Sequence, residues 1–255
     1  RWGKQANAKA LVIKHDITFF QETKLLDREN RFFKTFLPPG YIPHSSSISK
    51  TSAGVATIVS PHLDDLYHHK IVPLPPSLVG KALCVGFTAK DKSHSFFALN
   101  LYLDSHKSDT RASQLNTLTK SLPSHPYMIV GGDFNFVEDK YKDTSSHSEH
   151  YDNDERFVKA WMGFKEHFNL KEVAQSTHTY ISNAGEPGSA GTSRLDRIYL
   201  SYAEADWATI RPYTYIARIP HTIISYKRKT KYDFVPSDHL PVSLAFITTN
   251  NNDLR

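Results

Sequence analysis

Short apolar runs punctuate the whole chain, and few of them reach helical length. Residues 17–20 (ITFF), 52–60 (SAGVATIVS), 82–89 (ALCVGFTA), 95–103 (SFFALNLYL), 127–130 (YMIV), 192–201 (TSRLDRIYLS) and 242–247 (VSLAFI) concentrate β-branched and aromatic side chains and predict strands. Residues 90–93 (KDKS) read as the turn of a hairpin between two of them, and Gly131 and Gly132 are expected to end the 127–130 run. Helical spacing appears in three places. Residues 5–14 favour a helix leading into the strand at Ile17. Ser108 can cap a helix over 109–122 that sets Ala112, Leu115, Leu118 and Leu122 on one face. Asp152 and Glu155 have capping-box spacing ahead of a helix whose buried face takes Phe157, Trp161, Phe164 and Phe168, an aromatic stripe that reads as core. The breakers are Leu37-Pro38-Pro39-Gly40 and the Pro-rich residues 72–76. Residues 140–149 read as a polar, exposed excursion, and 183–192 is the most flexible-looking stretch. Strands outnumber helices and come both as hairpins and as helix-connected units. The fold class this predicts is an α/β sandwich, two packed sheets flanked by helices. No internal repeat or dividing linker is visible, so residues 1–248 read as one domain and 249–255 as a polar tail.

Composition narrows the picture modestly. The 255 residues include 15 Phe and 13 Tyr, enough for a sizeable core. Lys and Arg number 31 against 26 Asp and Glu, a net charge of +5 that suits a polyanionic partner. The sharpest basic cluster is Lys227-Arg228-Lys229-Thr230-Lys231, either a solvated loop or a contact for a phosphate backbone. Cys84, the single cysteine, lies in an apolar run and reads as buried core; one cysteine allows no intrachain disulfide, which suits a reducing, intracellular setting. No run approaches the ~18 apolar residues of a membrane span, and no Cys/His spacing suggests structural zinc. The chain does not begin with Met, and residues 1–4 read as the interior of a longer protein.

Four polar insertions sit where strands begin or end. Residues 126–136 read PYMIVGGDFNF. Alternation puts Asp133 and Asn135 on one side and Phe134 on the other, so a carboxylate and an amide lie side by side above an aromatic anchor. Such a pair can bind a hard cation, position a water, or serve as a hydrated turn. Gln21-Glu22-Thr23-Lys24 follows the first strand, Asp196 lies within residues 192–201, and Ser237-Asp238-His239-Leu240-Pro241 precedes the last strand. In open α/β sheets, sites assemble at strand ends.

The ordered set QET, NLYL, GGDFN, SRLDR and SDHLP resembles the endonuclease/exonuclease/phosphatase superfamily, and within it the apurinic-type endonuclease domains of non-LTR (LINE-type) retrotransposons. The resemblance covers roughly residues 1–248. It implies a four-layer α/β sandwich of two packed mixed sheets flanked by helices. It further implies Mg²⁺ (or Mn²⁺) dependent cleavage of DNA that leaves a 3′-hydroxyl, inside the cell and in the nucleus when acting. The chemistry of the residues gives Glu22 as a hard oxygen ligand and Asp133 as the group that orients or deprotonates water, with Asn135 fixing its geometry. His239 is a donor to phosphate that an anionic partner would hold cationic. The resemblance supplies that partner as Asp196, although Arg194 and Arg197 are alternative partners for it. It also adds Asp238 and His239 to the metal or water network of Glu22, Asp133 and Asn135, and Tyr102 as a phosphate contact. It turns the 183–192 connection toward DNA and implies DNA contacts for Lys24, Arg194, Lys227, Arg228, Lys229 and Lys231. The other thirteen histidines read as serving no site.

The chain also departs from the pattern. Nothing ahead of Gly3 supplies the asparagine of a Trp-Asn-Val-x-Gly first strand, so that N-terminal strand reads as missing and the fragment as weakly active or inactive. Ser105 stands where many relatives have asparagine, and Thr179-Tyr180 where retrotransposon relatives have Thr-Trp. The expected partners are DNA and a downstream reverse transcriptase domain of the same polypeptide, with no membrane. The competing readings are a phosphatase of the superfamily acting on inositol phosphates or lipids, and a catalytically dead nucleic-acid-binding remnant.

Overall fold

The computed structural model describes residues 9, 12–24, 33, 37–48, 53–145, 154–181, 191–201, 210–216, 239 and 242–248. In chain order the elements are β1 (Ile17–Phe20), β2 (Ile42–Ser46), β3 (Val55–Val59), α1 (Pro61–Leu66) and β4 (Tyr67–Val72), then a 3₁₀ turn (Pro76–Leu78), β5 (Ala82–Ala89), β6 (Ser95–Tyr102) and α2 (Ser108–Ser121). They continue with β7 (Met128–Asp133), α3 (Lys140–Asp143), α4 (Glu155–His167), β8 (Lys171–Glu172), β9 (Tyr180–Ile181), β10 (Thr192–Ser193), β11 (Asp196–Ser201), β12 (Ile210–Ile216) and β13 (Val242–Thr248).

A six-stranded sheet runs β4-β5-β6-β7-β11-β8, antiparallel except for the β6–β7 pair, and a three-stranded antiparallel sheet runs β1-β3-β2. Strand alternation sorts the side chains into layers. Val55 and Val59 of β3 join Leu83, Val85 and Phe87 of β5 and Ala98 of β6 in the core between the sheets. Ala56 and Ile58 turn outward to Val12, Phe33 and Leu37. Cys84, Leu99, Leu101 and Val130 face the other way, onto Leu115 and Leu118 of α2 and Phe157, Trp161 and Phe164 of α4. Central strands buried on both faces explain why these runs are continuously apolar. The result is two packed sheets with helices outside, as the sequence predicts.

Several boundaries differ from the sequence reading. Gly131 and Gly132 lie inside β7, which runs on to Asp133. At Gly131 an added Cβ would stand 3.1 Å from the Phe19 ring, so the glycine lets β1 press against β7. Gly132 has φ +145, and a Cβ there would meet the Leu101 carbonyl oxygen at 2.0 Å. Helix α2 is capped at Lys107 rather than Ser108, because Asp104 Oδ1 accepts the N–H groups of His106 and Lys107 and turns the chain one residue early. Asp154, whose carboxylate accepts the Phe157 N–H, caps α4; Asp152 lies outside the described residues. The 192–201 strand is two pieces, broken where the Arg194 N–H turns to the Asp143 carbonyl. Within the polar 140–149 run, Lys140–Asp143 is helical and Asp143 is fully buried. Residues 1–8, 182–190, 217–238 and 249–255 lie outside the described set. Among the described residues no helix is long and apolar enough to cross a membrane.

Two stability predictions follow from this packing. Gly132→Ala should cost about 3 kcal/mol or more, combining left-handed backbone with a clash, read as a lower urea midpoint. His44 lies with Nε2 2.8 Å from His69 Nδ1, and His69 Nε2 lies 3.0 Å from Asp64 Oδ1. Burial and then the His69 charge push His44 from 6.5 down to about 4. The unfolded chain therefore takes up a proton between about pH 6.5 and 4 that folded His44 refuses, so its contribution to stability is lost as pH falls through that window. Between pH 7 and 5, the wild type should lose roughly 1 kcal/mol more than His44→Gln, the linkage being discounted for solvent screening.

Candidate active site

Strand pairing delivers three polar side chains in one row. The parallel register of β6 and β7 sets Tyr102 opposite Asp133, and the antiparallel register of β7 and β11 sets Asp196 opposite the same Asp133. Paired residues share a sheet face, so the three converge. Beyond β7 the chain turns through Asn135 at φ 54; its backbone N–H donates to Asp133 Oδ1 at 2.9 Å and its amide to Asp133 Oδ2 at 3.0 Å. The same amide donates to the Leu103 carbonyl at 2.9 Å, fixing the group to the end of β6. Phe134 turns into the helix-side core, against Trp161 and Tyr199.

Asp196 opens β11. The buried Thr179 hydroxyl oxygen accepts the N–H of Leu195 at 3.1 Å and of Asp196 at 3.0 Å, which sets the angle at which the strand starts. His239 Nδ1 lies 2.8 Å from Asp196 Oδ2. A carboxylate only accepts, so Nδ1 carries the proton. A backbone bridge to Tyr180, with the two rings 5.1 Å apart, holds the histidine from the other side.

The fourth contribution comes from the small sheet. Past β1, Gln21 donates its amide to Asn100 Oδ1 at 2.7 Å, and Glu22 at φ 51 receives the Tyr102 hydroxyl at 2.6 Å. Lys24 Nζ lies 3.0 Å from Glu22 Oε2, both side chains being half exposed. Partial burial alone would push the Glu22 carboxyl up; the Tyr102 hydroxyl and the Lys24 ammonium outweigh it and hold the group below its ordinary value. Burial and Glu22 raise Tyr102, which stays a donor. Burial first and the Asp196 carboxylate next push Asp133 up to about 7.

The donor chemistry fits a hard divalent cation. Ligand atoms of Asp133, Asp196 and His239 lie within 4.8 Å of one another, and the Glu22 charge also raises Asp133. Carboxylates converging on a buried neighbour make a negative excess that a small cation neutralises through oxygen ligands.

The structure thus gathers Glu22, Tyr102, Asp133, Asn135, Asp196 and His239. Asp238, Lys227, Arg228, Lys229 and Lys231 lie outside the described residues. Arg194 requires correction as a DNA contact. Its side chain is 2% exposed, and its guanidinium bonds Asp143 at 2.6 and 3.0 Å and pairs with Glu172, so it is an internal tie. Arg197 likewise turns away from Asp196, over the Phe136 ring at 4.4 Å and onto its carbonyl at 2.6 Å. Asn100 and Thr179 carry positioning roles that the sequence reading did not assign; nothing in their local sequence separates them from other buried polar residues.

A family model described as the Endonuclease/Exonuclease/phosphatase family matches residues 2–239. Comparison with curated proteins returns no match. Among solved structures, the chain is similar to the endonuclease domain of TRAS1, a telomere-specific non-LTR retrotransposon, with 17% identity over 97% of this chain and 92% of that one and a TM-score of 0.59. It is similar to the AP endonuclease LMAP from Leishmania major, with 16% identity, coverage of 96% and 83%, and a TM-score of 0.66. A 3′ phosphatase, NExo from Neisseria, bound to a product DNA hairpin, gives 17% identity, coverage of 96% and 95%, and a TM-score of 0.63. At these identities the likeness is one of fold.

Thr179→Val should leave the N–H groups of Leu195 and Asp196 without their acceptor and cost about 2 kcal/mol. Thermal unfolding of this variant beside Thr179→Ser, which keeps the oxygen and should recover most of the loss, checks it.

Proposed function

Because the chain belongs to the endonuclease/exonuclease/phosphatase family, generally hydrolases of phosphodiester bonds, we propose that it is a divalent-metal-dependent endonuclease that nicks DNA and leaves a 3′-hydroxyl. The observation that carries this reading is the Asp196–His239 pair, 2.8 Å apart, with a ligand atom of the buried Asp133 carboxylate within 4.8 Å of both.

In this reading Asp133, raised to about 7, takes a proton from water near neutral pH, and Asn135 keeps both carboxylate oxygens in place. The water oxygen forms a bond to phosphorus while the bond from phosphorus to the 3′-oxygen breaks, and that oxygen takes a proton from solvent water, leaving a 5′-phosphate and a 3′-hydroxyl. His239, oriented through Nδ1 by Asp196, presents Nε2 to a non-bridging oxygen that gains charge in the transition state. Tyr102 keeps its proton and holds Glu22 toward the same space. Glu22, fixed by the Tyr102 hydroxyl, would hold the cation, which when bound offsets charge on the phosphate. The similarity to a retrotransposon endonuclease domain supports a role in opening target DNA for insertion, with a reverse transcriptase as the partner activity.

Supercoiled plasmid in Mg²⁺ tests this. The wild type should yield open circles that DNA ligase reseals, which requires 5′-phosphate and 3′-hydroxyl ends. EDTA should abolish nicking, and His239→Ala and Asp133→Asn should each lower it by about 10²-fold or more. Nicking that survives both substitutions would assign it to another protein in the sample. Release of phosphate from monoesters, with no nicking, would favour a phosphatase.

A further inference from the structure

The rim beside Glu22 is built from three short loops laid against one another. The N–H groups of Thr23 and Lys24 donate to the carbonyls of Gly54 and Ala53, at 3.1 Å each, and the Gly54 N–H donates to the Gly80 carbonyl at 2.9 Å. Gly80 N–H is fixed to Ser46 Oγ at 2.9 Å, and the Lys81 carbonyl accepts the Tyr102 N–H at 2.8 Å. Lys24 and Ala53, at φ 50 and 56, hold left-handed backbone at a cost in strain, while Gly54 and Gly80 adopt φ 100 and 73 freely. Strain retained at a candidate site is a reason to ask what the rim presents.

It presents an ammonium. Lys81 is half-buried, with Nζ 4.4 Å from the centroid of the Tyr102 ring whose hydroxyl holds Glu22. Other cations around the site are already committed: Lys24 to Glu22, Arg194 to Asp143 and Glu172, Lys165 and Arg197 to Glu138. Among the described residues no carboxylate lies within ion-pairing distance of Lys81. Asp104 lies in its field but is bonded to the N–H groups of His106 and Lys107. An ammonium held over an aromatic face is partly desolvated and poorly screened, which strengthens its pull on an external anion.

We propose that Lys81, seated on the Tyr102 ring, forms a subsite for a second, non-scissile phosphate of the substrate, so that the site selects a polynucleotide chain over a lone phosphoester. This rests on the nuclease reading above. A single point charge against one phosphate releases about one counterion, which sets the size of the effect.

The test is fluorescence-anisotropy binding of a labelled DNA duplex to the full chain in EDTA, as a function of NaCl, for wild type, Lys81→Gln and Lys81→Arg. Lys81→Gln should weaken binding about 5-fold at 0.1 M salt and make the log Kd against log salt slope shallower by about 1, while Lys81→Arg keeps the wild-type slope. A slope unchanged in Lys81→Gln overturns the subsite, even where affinity falls, since that pattern means lost packing on Tyr102. Absence of duplex binding by the wild type overturns it as well. Plasmid nicking measured in parallel separates the two readings: a slope that drops with Lys81→Gln, beside nicking that His239→Ala does not touch, sinks the nuclease assignment and leaves the phosphate contact standing.

Discussion

One fully buried amide ties the two sheets together at the site. Asn100 of β6 donates to the carbonyls of Phe20 in β1 and Ala56 in β3, at 3.2 and 2.9 Å, and accepts the Gln21 amide at 2.7 Å. A buried amide with its polar groups met can be retained in a core, whereas an unmet one would be expelled or would disrupt packing. Sheet-on-sheet packing is otherwise non-directional and would tolerate sliding. These three bonds fix where β1 ends relative to β6, and so how far Glu22 stands from Tyr102, two residues along the same face of β6. The Tyr102–Glu22 contact at 2.6 Å is a consequence of the Asn100 tie.

The other half of the site depends on register. A slip of one residue in β7 against β11 would turn Asp133 and Asp196 to opposite faces. Gly132 guards against it, because only glycine lets β7 lie against the Leu101 carbonyl at that point. Asp143, beneath the row, receives the N–H groups of Glu138 and Asp139 through one oxygen and the Arg194 guanidinium through the other. It thereby binds the segment after β7 to the segment before β11.

What was legible in the sequence was local. Strand runs, the aromatic face of α4 and the polar residues at strand ends each declare themselves within about ten residues, and the structure places those it describes, such as Glu22, Asp133 and Asp196, accordingly. What was not legible depends on partners far along the chain. Gly131 and Gly132 carry the same signature whether they end a strand or admit a neighbour's backbone. Arg194 looked like a DNA contact because a charge in sequence shows its sign and not its partner; Asp143 lies 51 residues away. Lys81 is silent in sequence for the complementary reason: its interest is that no carboxylate among the described residues lies within ion-pairing distance of it. Ser108 failed as a cap because Asp104, four residues earlier, satisfied the turn first.

The run Arg194-Leu195-Asp196-Arg197 shows how alternation converts a nearly neutral sequence into a charged site. Asp196 faces the cleft; Arg197 faces the helix-side core, where Phe134, Phe136 and Glu138 take it up. Arg194 is drawn down to Asp143. The arginines therefore stabilise β11 without neutralising Asp196, and the carboxylates of Asp133, Asp196 and Glu22 are left to act on one another. Asp133, buried and facing Asp196, is raised to about 7. The same separation that leaves Asp133 poised to exchange a proton near neutral pH leaves the described part of the cleft short of positive charge. A cation and a phosphate chain can enter it together, because the cation answers the carboxylates and the rim lysine answers the chain.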